Sequence, residues 1–196
     1  MLFDQIRRLL STRTRTIIET KELTPAAVLV LLYEKQGEIH IALTKRTETV
    51  ADHKGQISFP GGVRDKGDES LEATALREAF EEVGIDPEQV EILGLLDDGL
   101  TIATSYVITP VVGALPTPPQ FSISPDEVKE VIEIPLSFFH NASQQETTLD
   151  IPGVQSPPGY PTYHYGEHVI WGATARIMGQ FLLLLAPILS RDEESG

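Results

Sequence analysis

The amino-acid sequence predicts a single domain of the α/β (α+β) class, with strands and helices interleaved around one core. Three observations carry this expectation. An unbroken Val- and Leu-rich run at 26–33 has the length and composition of a strand buried on both faces. A helical stripe of Leu76, Ala79, Phe80 and Val83 occupies the stretch 68–83. Further strand-like runs recur at 90–96, 106–112 and 128–134.

With 196 residues the chain is long enough for one sizeable core and short for two. Its 41 % apolar and 7 % aromatic content is that of a folded globular protein. The 15 basic and 29 acidic residues leave a formal charge of −14, which argues against a surface that coats nucleic acid. A small anionic substrate remains compatible, provided that a metal ion or a local basic cluster attracts it. Without cysteine there is no disulfide framework and no thiol nucleophile, in keeping with a cytoplasmic location.

In chain order, residues 2–10 read as a short amphipathic helix, packed on the domain or on a partner. Asp4, Arg7 and Arg8 interrupt its apolar residues, unlike a signal peptide. A polar Thr- and Arg-rich link follows, so 1–24 is set apart from a main domain at 25–190 and a charged, frayed tail at 191–196. The strand at 26–33 turns through 34–38, with Gly37, into a second strand at 39–44, forming a hairpin. Residues 45–68 read as a long polar loop with a short extended stretch, and long loops inside compact domains are often functional. The helix at 68–83 can be capped by Asp68 or Ser70 and ended by Gly84. A polar, Gly-containing piece separates the strands at 90–96 and 106–112, and 115–125 is a Pro-rich loop. After the strand at 128–134 come a short helix or turn at 135–140, a polar excursion at 141–159, an extended piece at 163–165 and a helix at 169–185. The apolar run 181–189 contains Pro187 and falls short of the roughly 20 residues that span a bilayer, so no membrane span is expected.

Glu78 and Glu82 stand one turn apart on this helix, and Glu81 lies in the same sector. Like charges so spaced repel by a few tenths of a kcal/mol each, and the helix dipole gives them no compensation there. A bound hard cation such as Mg²⁺ or Mn²⁺ is the simplest relief, while a solvated acidic face is the plain alternative. Arg77 lies one turn before Glu81 and can pin a carboxylate in its ionised form. Gly61 and Gly62 supply a turn without side chains, open to a metal or a phosphate.

The stretch 62–85, with Arg77-Glu78, Glu81-Glu82 and Gly84-Ile85 at fixed spacing, resembles the Nudix box, G-x5-E-x7-R-E-U-x-E-E-x-G-U with U aliphatic. Two departures show. Counting forward from Gly62 places the first acidic position on Asp68, whereas counting back from Arg77 places it on Glu69, so the loop half carries one extra residue. Ala79 is also small for the aliphatic position. A similar longer loop occurs in the coenzyme A pyrophosphatase branch, whose upstream signature resembles L-L-T-x-R-(S/A)-x3-R-x3-G-x3-F-P-G-G. Leu43, Thr44, Arg46, Gly55, Phe59, Pro60, Gly61 and Gly62 match it, whereas Thr47 replaces Ser or Ala and Ala51 stands at the second Arg. His53 and Lys54 are near enough in sequence to substitute for that Arg. The likeness continues through Pro125-Asp126-Glu127-Val128, Ile134-Pro135-Leu136 and residues 170–176, covering about 25–185. Trp171 and the small residues after it read first as close helix packing.

The resemblance implies the Nudix fold, a mixed β-sheet sandwiched between α-helices. It implies attack of water on a diphosphate phosphorus, assisted by Mg²⁺ or Mn²⁺. Glu78 and Glu82 would ligate the metal, with Glu81 a third ligand or the base, Arg77 orienting the carboxylates and a carbonyl of Gly61 or Gly62 joining them. Glu127 is a candidate for a further base or ligand, set against a solvent-exposed loop acid. Arg46, Lys45 and Lys54, with the Gly61 and Gly62 amides, are candidates for substrate phosphates. His40, His140, His164 and His168 show no metal spacing. The expected substrate is coenzyme A or a thioester, cut to 4′-phosphopantetheine or its acyl derivative and adenosine 3′,5′-bisphosphate. The alternatives are ADP-ribose, a dinucleotide or a damaged nucleoside triphosphate, and a Nudix-shaped binding module without turnover. A small nucleotide-derived molecule is thus the expected partner, and a homodimer the assembly to test.

Overall fold

The computed structural model describes residues 2–19, 22–47, 55–101, 105–143 and 161–193. At its centre lies β1 (Thr24–Lys35), whose side chains alternate between two core layers. Ala27, Leu29, Leu31 and Tyr33 face one layer, and Val30 and Leu32 face the other. This is why the run lacks the apolar–polar alternation of a strand with one wet face. Gln36 and Gly37, at φ 57° and 80°, turn the chain into β2 (Glu38–Arg46), as a two-residue hairpin connection requires.

The sheet is mixed and eight-stranded. β1 runs parallel to β7 (Tyr106–Leu115), from Thr24 opposite Tyr106 to Tyr33 opposite Leu115. On its other edge β1 pairs antiparallel with β2 and with β4 (Gly61–Val63). Two strands extend β2, namely β3 (Ile57–Ser58) and β8 (Val128–Pro135). β5 (Glu91–Leu95) and β6 (Gly99–Leu100) line the outer edge of β7. A separate hairpin joins β9 (Tyr163–Tyr165) to β10 (His168–Ile170).

Helices cover both faces. α2 (Leu71–Val83) packs Ala75, Ala79 and Val83 against one layer. On the other, α1 (Leu2–Thr12) contributes Ile6 and Leu10, α3 (Leu136–Ser143) contributes Phe139, and α4 (Gly172–Glu193) contributes Ile177, Phe181 and Leu185. The sheet sandwiched between helices is the architecture that the sequence led us to expect.

Four local expectations change. Gly61 and Gly62 are not a free turn: they lie in β4, hydrogen-bonded beside β1. The loop expected from residue 45 gives up its first residues to β2 and contains β3 and β4, because β1 and β2 each offer an edge with no other partner at that level. The piece before β7 contains β6 for the same reason. The last helix starts at Gly172, since Val169 and Ile170 pair with β9, and it continues through Pro187 to Glu193, taking in 191–193 from the expected tail. Its stretch 172–189 has mean hydropathy 1.5 and would suffice by length and composition to cross a membrane. Here its apolar side instead covers the sheet through the residues named above. The excursion expected at 141–159 lies outside the described residues from 144 onward.

Candidate active site

α2 owes its position to its two ends. Ser70, in extended backbone, accepts a hydrogen bond from the Ala73 amide at 3.1 Å and so caps the first turn. At the other end Gly84 adopts φ 72°; its amide donates to the Phe80 carbonyl and that of Ile85 to the Ala79 carbonyl. The amides of Ser122 and Ser124 satisfy the carbonyls of Val83 and Glu82, both at 2.9 Å. The loop leading to Glu127 is thereby tied to the helix that carries Glu78 and Glu82.

With Ala75, Ala79 and Val83 turned into the core, Glu78 and Glu82 project toward β4. A Cβ at Gly62 would lie 2.5 Å from the Glu78 carboxyl carbon, so the bare backbone is what admits that carboxylate. A Cβ at Gly61 would lie 2.6 Å from Val28 Cα. The Gly61 amide donates to Glu82 Oε2 at 3.3 Å.

Arg77 is the hub of the acidic face. It donates to both oxygens of Asp68 at 3.0 and 3.1 Å, to Glu78 at 2.9 Å, to Glu81 at 3.0 Å and to the Val63 carbonyl at 3.1 Å. Its fork pairs with Asp68, the acidic residue that the forward count reaches. Asp68 also accepts from the Asp65 amide and the Thr74 hydroxyl, both at 2.9 Å. The Arg77 guanidinium, aided by these donors against burial, holds the Asp68 carboxyl well below the usual range.

A cavity of about 370 Å³ opens beside this hub. Glu78, Glu82, Glu127 and Arg46 line it, together with Gly61 and Gly62. Glu127 borders it from an exposed position, its backbone carbonyl accepting from the Thr47 amide at 2.9 Å. Glu82 is only 3 % exposed, and Arg46 Nη1 stands 3.8 Å from its Oε1. Burial pushes its carboxyl up to about 8, with the Glu78 and Glu127 charges adding and Arg46 and the Gly61 amide opposing. Burial likewise raises Glu78; Arg77 opposes, and the charges of Glu81 and Glu127 add.

Two expected residues lie apart. Glu81 is absent from the cavity lining; its side chain is half-exposed and paired with Arg77, so the third carboxylate beside Glu78 and Glu82 is Glu127. Lys45 is also absent from it, and pairs with Glu130 of β8 at 3.3 Å, because successive strand residues face opposite ways and its neighbour Arg46 faces the cavity. Lys54, with Ala51 and His53, lies outside the described residues. Among the described residues no three acidic or imidazole groups close into a finished metal cage. The apolar part of the lining, formed by Val28, Tyr106, Ile108 and Ile177 among others, is not legible in the sequence, since nothing in their local patterns distinguishes them from core.

Comparison with known proteins settles the family. The NUDIX domain profile matches residues 23–147. The chain belongs to the Nudix hydrolase family. An uncharacterized Nudix hydrolase, NudL, of Photorhabdus laumondii is 41 % identical over 140 residues, covering 71 % of this chain and 74 % of that protein. Its Shigella sonnei namesake is 36 % identical over 183 residues, 93 % and 94 % of the two chains. The Arabidopsis thaliana chloroplastic Nudix hydrolase 22 is 37 % identical, with 78 % of this chain matching 52 % of that one. Among solved structures, a Caenorhabditis elegans Ap4A hydrolase superposes with a TM-score of 0.54 at 19 % identity, over 86 % of this chain and 98 % of that one. That similarity speaks to the shared Nudix fold. Nudix hydrolases act on nucleotide derivatives, generally with divalent metals, and the acidic end of the cavity has the matching oxygen donors.

Proposed function

We propose that this Nudix hydrolase cleaves the diphosphate linkage of coenzyme A or its thioesters, giving 4′-phosphopantetheine or its acyl derivative and adenosine 3′,5′-bisphosphate. The observation that carries the reading is the cavity, which joins three carboxylates and Arg46 at one end to a largely apolar lining beyond. A substrate with a diphosphate and a long uncharged arm matches both parts. The upstream sequence signature supports it, since in the fold it is one local assembly. Thr44 donates to the Ser58 carbonyl at 3.2 Å, Arg46 ends β2 facing the cavity, and Phe59 to Gly62 lead into β4.

The residues present fit Mg²⁺ or Mn²⁺. Glu82 is a buried carboxylate whose nearest cation among the described residues, at 3.8 Å, is too distant for a hydrogen bond, and this is a state that a hard cation relieves. Glu78 and Glu82 would hold the ion, with Glu127 beside them and a carbonyl of Gly61 or Gly62 within the same wall. Incomplete caging suits Mg²⁺, which keeps several waters and takes substrate phosphate oxygens. When bound, the ion neutralises charge on the diphosphate and lowers the pKa of water. Arg46 would pair with a phosphate oxygen through its planar fork. Glu127 would take the proton of the attacking water. Arg77 keeps Glu78 turned toward the cavity, and Glu81, on the same guanidinium, helps to hold Arg77 in place.

The test is turnover of a panel comprising coenzyme A, acetyl-coenzyme A, ADP-ribose, a dinucleoside polyphosphate and a nucleoside triphosphate with Mg²⁺ or Mn²⁺, with products separated by chromatography. The expected result is phosphopantetheine release at a higher kcat/KM than any product from the other compounds. Preferential turnover of ADP-ribose, or ligand binding without turnover of any of them, would overturn the reading.

A further inference from the structure

The cavity has a direction. At its level the strands follow the order β4, β1, β7, β6, so its floor crosses three strand spacings, about 14 Å. The charged groups belong to the β4 side, where Gly61 and Gly62 meet Glu82 and Glu78. Ala26 and Val28 of β1 and Ile108 and Tyr106 of β7 follow on the same sheet face. The first turns of α4 form the roof. Thr174 donates to the Ile57 carbonyl of β3 at 3.1 Å, and Arg176 donates to the Leu100 carbonyl of β6, which places Ile177 over the floor between them. Gly99 leaves room for this clamp, since a Cβ there would meet Arg176 Nη2 at 2.8 Å.

Among the described residues Arg46 is the one cation of the lining, and it belongs to the acidic end. The far end offers apolar side chains and a few neutral hydrogen-bonding groups such as Thr101 and Thr174. A phosphate placed there would lose its hydration, and Arg176, the cation at this end, lies outside the lining with its guanidinium turned to the Leu100 carbonyl. An uncharged arm with amide groups would lose little.

We propose that the apolar end, floored by Ile108 and Tyr106 and roofed by Ile177, selects the substrate by its uncharged arm, so that the pantetheine side lies at this end and the phosphorylated nucleoside side lies on the other side of the carboxylates. This assignment rests on the coenzyme A reading and adds an orientation and specificity-determining residues to it.

The experiment uses the full chain loaded with Mn²⁺ and measures equilibrium binding of the two product halves, 4′-phosphopantetheine and adenosine 3′,5′-bisphosphate. Ile177→Trp fills the far end. It should weaken phosphopantetheine binding by at least about 10-fold and leave adenosine 3′,5′-bisphosphate within about 3-fold. Tyr106→Ala, at a half-buried position, should give the same split without threatening the fold and stands in if the Trp variant fails to fold. The reverse split, or no split in a folded variant, overturns the proposal. The two readings fail separately. A parent that cleaves coenzyme A but shows no split loses only the orientation, whereas a parent that does not cleave coenzyme A loses both.

Discussion

Glu82 combines two unfavourable circumstances, burial at 3 % exposure and the company of two further acids, Glu78 and Glu127. Folded Glu82 holds its proton up to about 8, while the unfolded carboxyl releases it near 4.5. Between these values the folded chain binds more protons than the unfolded one, so metal-free stability should fall as pH rises through that window. Thermal melts in chelator from pH 5 to 8 should show the decline, and Mn²⁺ should restore stability most at the upper end. A flat profile would remove the case for a strained carboxylate. Glu82→Gln keeps the shape and removes the charge. Its turnover should drop by more than the roughly 100-fold typical of losing a residue that only supports a metal ligand, while its metal-free melting point at pH 8 should exceed the parent's. Arg77→Lys keeps a charge but loses the fork shared by Asp68, Glu78 and Glu81. We expect a 10- to 100-fold loss of Mn²⁺ affinity, read by direct titration, with the fold retained.

At the scale of elements, the site depends on a helix meeting a strand that has no side chain at the contact. Gly62→Ala would push its Cβ against the mobile end of Glu78, so the displacement costs the fold little and the site much. The expected outcome is a stability change of at most about 1 kcal/mol with at least about 10-fold weaker Mn²⁺ binding. Gly67→Ala is the control, since a Cβ there meets nothing within 4 Å, and both quantities should stay at the parental level. The end of helix α2 at Gly84 was legible because it acts through local geometry. The helix begins at Leu71 under the Ser70 cap and not at Asp68, and Phe80, expected on the apolar stripe, is exposed while Ala75 is buried in the core. The strands β3, β4 and β6 were not legible, because segments of two or three residues become strands only when a partner edge accepts their hydrogen bonds.

Across the whole molecule, the N-terminal link acts as a strap. Asp98 accepts from Arg15 Nη1 at 2.8 Å, the Ile18 amide at 2.9 Å and the Thr109 hydroxyl at 2.6 Å, and Asp97 accepts from Arg13, the Thr16 amide and Gln180. Asp98→Asn should cost about 2 kcal/mol in denaturant unfolding, as the loss of charge-assisted hydrogen bonds does at a buried position. No change would mean that the strap is ornamental to the fold. The sequence by itself determined the fold class, the carboxylate helix and the pairing of Arg77 with its neighbours, since each depends on spacing within a few residues. Only the tertiary structure decided that Glu127 and Arg46 join Glu78 and Glu82 while Glu81 and Lys45 do not. It alone set Tyr106, Ile108 and Ile177 around the same space, because the parallel pairing of β1 with β7 and the seating of α4 bring together residues that no local pattern connects.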